Sequence, residues 1–435
     1  MTFFVPSPSP VFDEKHIQES VPPLKMHPTN PVVSSAEFVL EQTNIVKIND
    51  DAVKKATQYV NSIFHIIREH CASDRFTQIL KQVSSEPYTP RTWRTHPLHI
   101  CPPEPYDPDD ILTGACLNWI FLISSLNFSF WSEKEGQQDR YGIEWRTSWG
   151  SETMTVHTGY WSLVAALNRA LEEGIPIIDP RFYSSETLCP DSLIAHVFRA
   201  APQSAESMPL FNERLAIMRE VGAILCNNEF GGSYLGFLQA FQTRYDNQGT
   251  ALDLVQFVTD SFPSFRDDRM FNGRRGKLTS LCLPVYFWKR PQILVAETWA
   301  AFYPENPYTP HPIFPGLDGA RISALTMFAD YRVPQILHHL RILAYPPSLK
   351  HELCTGKSLR AGSREEMSLR AASIVAVERM RSEMMRCGSD WEASCVLIDF
   401  YLWDLAKKLQ RGKECLEGIE TEDILPVHRT RSIWY

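Results

Sequence analysis

The chain has 435 residues, with 43 Lys plus Arg against 51 Asp plus Glu for a formal net charge of −8, and 44% of its residues are hydrophobic. That is an ordinary globular balance, with length enough for about two to three domains or one large helical one. The acidic excess disfavours long duplex DNA or RNA as a partner, because phosphate backbones are bound by basic surfaces, although a local cationic cluster can still hold a small anion.

Residues 1–33 are rich in Pro and Ser and carry few apolar residues at a helical period, so they are expected to form a disordered or loosely attached tail. Residues 34–435 are expected to form the remaining, helical domain. From about Ser35 to Leu80 the pattern turns helical, with Val60, Ile63, Phe64 and Ile67 at i, i+3, i+4 and i+7. A Pro-rich connector, Pro87–Pro108, leads to the apolar segment Leu112–Leu126 and the aromatic string Asn127-Phe128-Ser129-Phe130-Trp131. Glu133–Thr158 alternates Tyr, Ile, Trp and Val with Gly and polar residues and is the one persuasive hairpin. Helical patterns follow over Tyr160–Glu173, Met208–Leu225, Leu252–Phe262, Pro291–Trp299, Val333–Ala344, Glu366–Arg386 and Trp391–Leu409, punctuated by Gly174, Pro263 and Pro346. The expected fold class is all-α: one mainly helical domain with a small β-hairpin excursion.

Several familiar chemistries fail on inspection. No run approaches the roughly 18 consecutive apolar residues of a membrane helix, and the opening MTFFVPSPSP lacks the basic and apolar regions of a secretory signal. Ten scattered cysteines without a CxxC pair read as reduced cytosolic thiols, with no metal site or cofactor expected. Gly273-Arg274-Arg275-Gly276-Lys277 misses the Walker pattern, since Leu278 follows the lysine, and is expected to be a basic surface loop. His65 and Glu69-His70 fit neither zinc-helix spacing.

Five strings are richer in polar and aromatic residues than packing requires. Leu126–Trp131 places three aromatics in four positions, which suits either a wall for a flat heterocycle or an aromatic corner of the core. Phe328-Ala329-Asp330-Tyr331-Arg332-Val333-Pro334-Gln335 approaches a helix whose buried face is Val333, Ile336, Leu337 and Leu340, so its positive end favours an ionised Asp330. Ser261–Asp268 throws Arg266 and two carboxylates into a loop after Pro263. Asp399-Phe400-Tyr401-Leu402-Trp403-Asp404 sets Asp399 and Trp403 on one helical face. Lys289-Arg290 places two cations at a helix start. Taken singly, caps, salt bridges and solvated turns account for most of these equally well.

Their order along the chain says more. LNFSFWS (126–132), GYWSL (159–163), FGGSYL (230–235), SFPSFRD (261–267), KRPQILVAETW (289–299), TMFADYRVPQ (326–335), DFYLWD (399–404) and HRTR (428–431) together resemble the queuosine salvage family of queuosine 5'-phosphate N-glycosylases/hydrolases. The likeness spans roughly residues 36–435, departing at the N-terminal extension and at a lengthened Gly273–Val285. It implies a helical fold related to helix-hairpin-helix DNA glycosylases. It further implies metal-free hydrolysis of queuosine 5'-monophosphate to queuine and ribose 5-phosphate, for reuse of queuine in tRNA modification. The partner expected is that small molecule, with no duplex nucleic acid and no membrane, in the cytoplasm.

By the same resemblance Asp330 of the FADYR string is the catalytic carboxylate, kept ionised by Arg332 or the helix end. Asp267 is a candidate for contacting the leaving base or activating water. Asp399 and Asp404 are proposed for the ammonium and diol of queuine, since a carboxylate serves both. Phe328, Phe128 and Trp131, with Tyr401 and Trp403, are expected to surround the base. Lys289, with Arg290, is expected on the 5'-phosphate, and His99 at the entrance. A non-catalytic queuine- or nucleotide-binding module is the alternative, and a glycosylase of damaged nucleic acid a less favoured one.

Overall fold

The computed structural model describes residues 29–70, 90–275, 279–306, 308–387, 394–410, 412, 416 and 419–435. The proposed tail therefore falls largely outside the described residues. Helix α1 (Pro31–Thr43) already occupies its last three positions. Asn30 caps α1 by accepting from Val32 N at 3.0 Å, and Asn44, left-handed at φ 53°, ends it. The single helical stretch expected over Ser35–Leu80 is thus split: β1 (Lys47–Ile48) separates α1 from α2 (Asp50–His70). Val60 is fully buried, whereas the side chains of Ile63, Phe64 and Ile67 lie outside the described set.

After α3 (Pro90–Thr95), α4 (Ile111–Ser125) is apolar on nearly every side, as a helix surrounded by others must be. Asp110 caps it, accepting from Leu112 N at 2.7 Å. The expected hairpin forms from β2 (Gly142–Arg146) and β3 (Met154–Thr158), antiparallel with Gly142 opposite Thr158. Then come α5 (Tyr160–Glu172), α6 (Pro180–Tyr183), α7 (Asp191–Val197), α8 (Phe211–Leu225), α9 (Tyr234–Arg244) and α10 (Ala251–Ser261). A reciprocal capping box between Thr250 and Asp253 starts α10, and Pro263 follows its end.

One expectation is overturned in the next segment. Gly273-Arg274-Arg275, expected in a basic surface loop, instead end β4 (Asp268–Arg275), which pairs with β5 (Thr279–Tyr286) in a second hairpin with Asp268 opposite Tyr286 and Arg275 opposite Thr279; Gly276 and Lys277 of the expected loop lie outside the described residues. Phe271 and Val285 turn inward, and Phe271 meets Phe38 of α1 edge-on at 6.0 Å. Gly273 is a packing glycine, because a Cβ there would come 2.6 Å from the Phe38 ring.

The closing half contains α11 (Lys289–Ala301), α12 (Arg332–His339), β6 (Leu343–Ala344), α13 (Pro347–Cys354), α14 (Arg364–Arg386) and α15 (Cys395–Gln410). The fold class is mainly helical, with three two-stranded antiparallel sheets among the described residues. Helix α12 is shorter than Val333–Ala344 because Arg341 turns left-handed at φ 62° and Leu343–Ala344 pairs with β1. Its forecast inner face holds: Val333, Ile336, Leu337 and Leu340 are all buried. Helix α14 runs through the middle, packed by α1, α2, α12 and α15, and buries Leu369, Ala371, Ala372, Ile374, Ala376 and Val377 completely. Around this axis the starts of α11 and α12 and the first turns of α15 converge.

Candidate active site

Asp330 precedes α12 by two residues, and its Oδ1 accepts from the backbone N–H of Arg332 at 2.8 Å and of Val333 at 2.9 Å. Two of the unpaired donors of a helix start are thereby answered by a carboxylate, where the helix dipole favours negative charge. The side chain is only 8% exposed. Burial raises its pKa, while the nearby Lys289 charge and the two N–H donors pull the other way.

Lys289 opens α11, after Trp288 in a left-handed conformation at φ 46° and ψ 41°. A bulky residue held there is strained, and such strain persists only where the surroundings enforce it. Lys289 is 4% exposed and its Nζ donates to Asn127 O at 3.2 Å. Burial lowers its pKa to about 8, with Asp330 and Asp399 opposing the fall. Asp399, in the first turns of α15, accepts from Phe328 N at 3.0 Å. Its pKa is raised well above the ordinary value, by burial first and then by the negative charge of Asp330. Lys289 opposes the rise at both carboxylates, but Asp330 accepts one more N–H donor than Asp399, so its surroundings favour the ionised form more than those of Asp399 do.

The aromatic string after α4 has a different explanation from a base-stacking wall. The last carbonyls of α4 and its exit loop attract cations: Arg290 donates to Ser125 O, Arg214 to Leu126 O and Phe128 O, and Lys289 to Asn127 O. Phe128 is completely buried beneath this group, with the guanidinium carbons of Arg214 and Arg290 at 4.2 and 5.2 Å from its ring centroid. It is core. Trp131 is also covered, donating to Thr430 O at 3.0 Å with Arg431 stacked 3.5 Å from its centroid.

Lys289, Asp330, Asp399 and Phe328 are thus brought together, and the other candidates are not. Arg332 serves Asp330 chiefly through its backbone N–H, since its guanidinium goes to Glu135 at 3.1 Å and Gln410 at 2.6 Å. Asp267 gives both oxygens to Arg370, one of them at 3.1 Å, which leaves it poorly placed to activate water. Asp404 pairs with Lys408 one turn on. Lys289 is buried with its Nζ on Asn127 O, beside the two aspartates, and Arg290 is spent on Ser125 O and Ser264 O. Tyr401 is buried in the core. His99 is also buried, bonded to Trp93 O at 2.9 Å among Trp93, His96, Trp119 and Trp161, and burial lowers its pKa to about 3. It is an interior histidine, not an entrance one.

Trp403 is half-buried, one turn along α15 from Asp399, with Lys407 3.9 Å from its ring and Tyr160 edge-on at 6.2 Å. Trp161, in parallel stacking with His96 at 4.0 Å, joins this group through Tyr160 at 4.9 Å and Lys407 at 5.5 Å. GYWSL had marked Tyr160 and Trp161 without giving them a task. A broad groove lined by Arg94, Trp299, Tyr303, Asp318 and Arg321 contains none of these residues, and its Arg94 and Arg321 are ion-paired to Glu104 and Asp318. Among the described residues no three His, Cys, Asp or Glu side chains are grouped to hold a metal ion.

Residues 107–435 match the model of the queuosine salvage protein family. The chain is 35% identical over 410 residues to a protein of Schizosaccharomyces pombe named queuosine 5'-phosphate N-glycosylase/hydrolase, covering 93% of this chain and 99% of that one. It is 34% identical to the mouse protein of that name, over 92% of this chain and 97% of the relative. Against the Sphaerobacter thermophilus protein of that name the figures are 33%, 93% and 97%.

Proposed function

The chain belongs to the queuosine salvage protein family, and from that premise we propose that Asp330, ionised beside Lys289, is the carboxylate that carries its chemistry. The activity is hydrolysis of the N-glycosidic bond of queuosine 5'-phosphate in queuosine salvage. The observation that carries the mechanistic reading is the buried group of one lysine and two aspartates at the start of α12.

As the bond from C1' to the base breaks, its electron pair leaves on the glycosidic nitrogen and positive charge develops on C1' and O4'. Water adds its oxygen to C1', and its proton balances the base nitrogen. A carboxylate already fixed by two N–H donors meets the developing cation without having to reorganise. Asp399, proposed as the protonated member of the pair, is suited to hydrogen bonding with the base or diol rather than to pairing with an ammonium. Trp403 with Tyr160 and Trp161 is the aromatic surface proposed for the base, in place of Phe128 and Trp131. Residues 34–435 are proposed to act as one catalytic domain on the free nucleotide, in the cytoplasm. No described helix is long and apolar enough to cross a membrane.

Incubation of the purified protein with queuosine 5'-phosphate, followed by mass spectrometry, is expected to show free queuine. Bound but uncleaved nucleotide would instead indicate a carrier. The profile of kcat/KM against pH is expected to be bell-shaped. Lys289 is charged below about 8 and neutral above it, so the rate falls as pH rises through about 8. On the other side Asp330 takes up its proton at a higher pH than an ordinary aspartate at 3.8, so the acid limb is displaced upward. Trp403→Ala is expected to raise KM roughly 5- to 150-fold, the equivalent of about 1–3 kcal/mol of base stacking, with less change in kcat; an unchanged KM would take Trp403 out of the binding surface.

A further inference from the structure

Arg370, in the second turn of α14, belongs to none of the strings that mark this family in the sequence, yet it is 1% exposed and wholly engaged. Its Nη1 donates to Asp267 Oδ1 at 3.1 Å and its Nη2 to Asp267 Oδ2. Its Nε donates to Ala329 O at 3.3 Å, one residue before Asp330. The guanidinium carbon lies 4.1 Å from the Phe287 ring centroid and 4.8 Å from that of Tyr435. Phe287 is two residues before Lys289, and its N–H donates to Asp267 O at 3.0 Å. One side chain therefore touches both the strand exit that delivers Lys289 and the loop that delivers Asp330.

We infer that Arg370, oriented by Asp267, is a positioning residue that sets the spacing between Lys289 and Asp330 for the glycosidic reaction, an inference that rests on the proposed role of Asp330. It cannot be a catalytic residue in its own right, because its fork is occupied by Asp267 and Ala329. Only a guanidinium supplies this geometry: two parallel donors for a carboxylate, a third at Nε and flat faces for two rings. A lysine keeps the charge and loses the rest. Displacement of a reacting group by about 1 Å can cost ~100-fold in rate.

The test compares Arg370→Lys with Arg169→Lys. Arg169 is another buried arginine, 8% exposed, that donates to Glu144 O at 3.2 Å, Val197 O at 3.1 Å and Arg199 O at 2.9 Å. Both variants are expected to lower Tm. Only Arg370→Lys is expected to lower kcat, about 10- to 100-fold on queuosine 5'-phosphate well below the melting point, with KM within about threefold. Asp267→Asn, which preserves shape but replaces the carboxylate that accepts both Arg370 donors with a neutral amide, is the second variant should Arg370→Lys not fold. It is expected to lower kcat in the same way, and the double variant to be no worse than the more impaired single one, as for two parts of one device. Normal kcat in folded Arg370→Lys or, failing that, in Asp267→Asn overturns the inference. If the wild type releases no queuine, or Asp330→Asn turns over normally, the reading of the site itself fails and the inference falls with it.

Discussion

Asp330→Asn is expected to lower kcat by at least 10²–10³, about 2.7–4 kcal/mol of transition-state stabilisation, while queuine still binds. The asparagine carbonyl can accept the same two N–H bonds that Arg332 and Val333 make to Oδ1, so the start of α12 survives the change. What is lost is the negative charge that the proposed mechanism sets against C1'. Single-turnover release of queuine from queuosine 5'-phosphate reads this directly, and circular dichroism verifies that the variant is folded. Near-normal turnover would remove Asp330 from the reaction.

Lys289→Met ranks second, with an expected fall of about 100-fold or more at pH 7. The methionine approximates the aliphatic stem without the ammonium. Asp330 then lies buried without the cation that most opposes the rise of its pKa, and that pKa climbs further. Each unit of climb leaves tenfold less ionised carboxylate at any pH below it. The acid limb should therefore move upward, and the basic limb assigned to Lys289 should vanish. The loss should be the same for queuosine 5'-phosphate and for the unphosphorylated nucleoside, because Lys289 is bonded to Asn127 O and faces two aspartates. A defect confined to the phosphorylated substrate would restore Lys289 to the phosphate-binding role expected from sequence.

What could be read from sequence was local. Helices with an unbroken apolar period, such as α14, and the approach of Asp330 to a helix start follow from residues close together in the chain. The β4–β5 hairpin did not, since Gly273 and its arginines look like a loop until Phe38, from the far end of the chain, is packed against them. Val333, whose position before Pro334 biases it away from helix, is nevertheless helical, held by its N–H bond to Asp330. Sequence leaves Phe128 equally fit for a wall or a core corner, because the three cations that gather at the end of α4 and cover it come from α8 and α11. Asp404 was separable in principle: Lys408 stands four residues later, the spacing of an intrahelical ion pair.

The pairing of β1 with β6 has a bearing on biogenesis. Lys47 and Ile48 find their partners in Ala344 and Leu343, and Val46 donates to Ser368 Oγ at 3.1 Å. At roughly 5–20 residues per second, a ribosome needs about 15–60 s to make the intervening ~300 residues. Through that interval α1 and α2 lack α14, the helix they pack against most, so their inward surfaces stay only partly covered until translation has passed it. Substitutions that make α1 more apolar are thus expected to reduce yield during synthesis before they alter the finished enzyme.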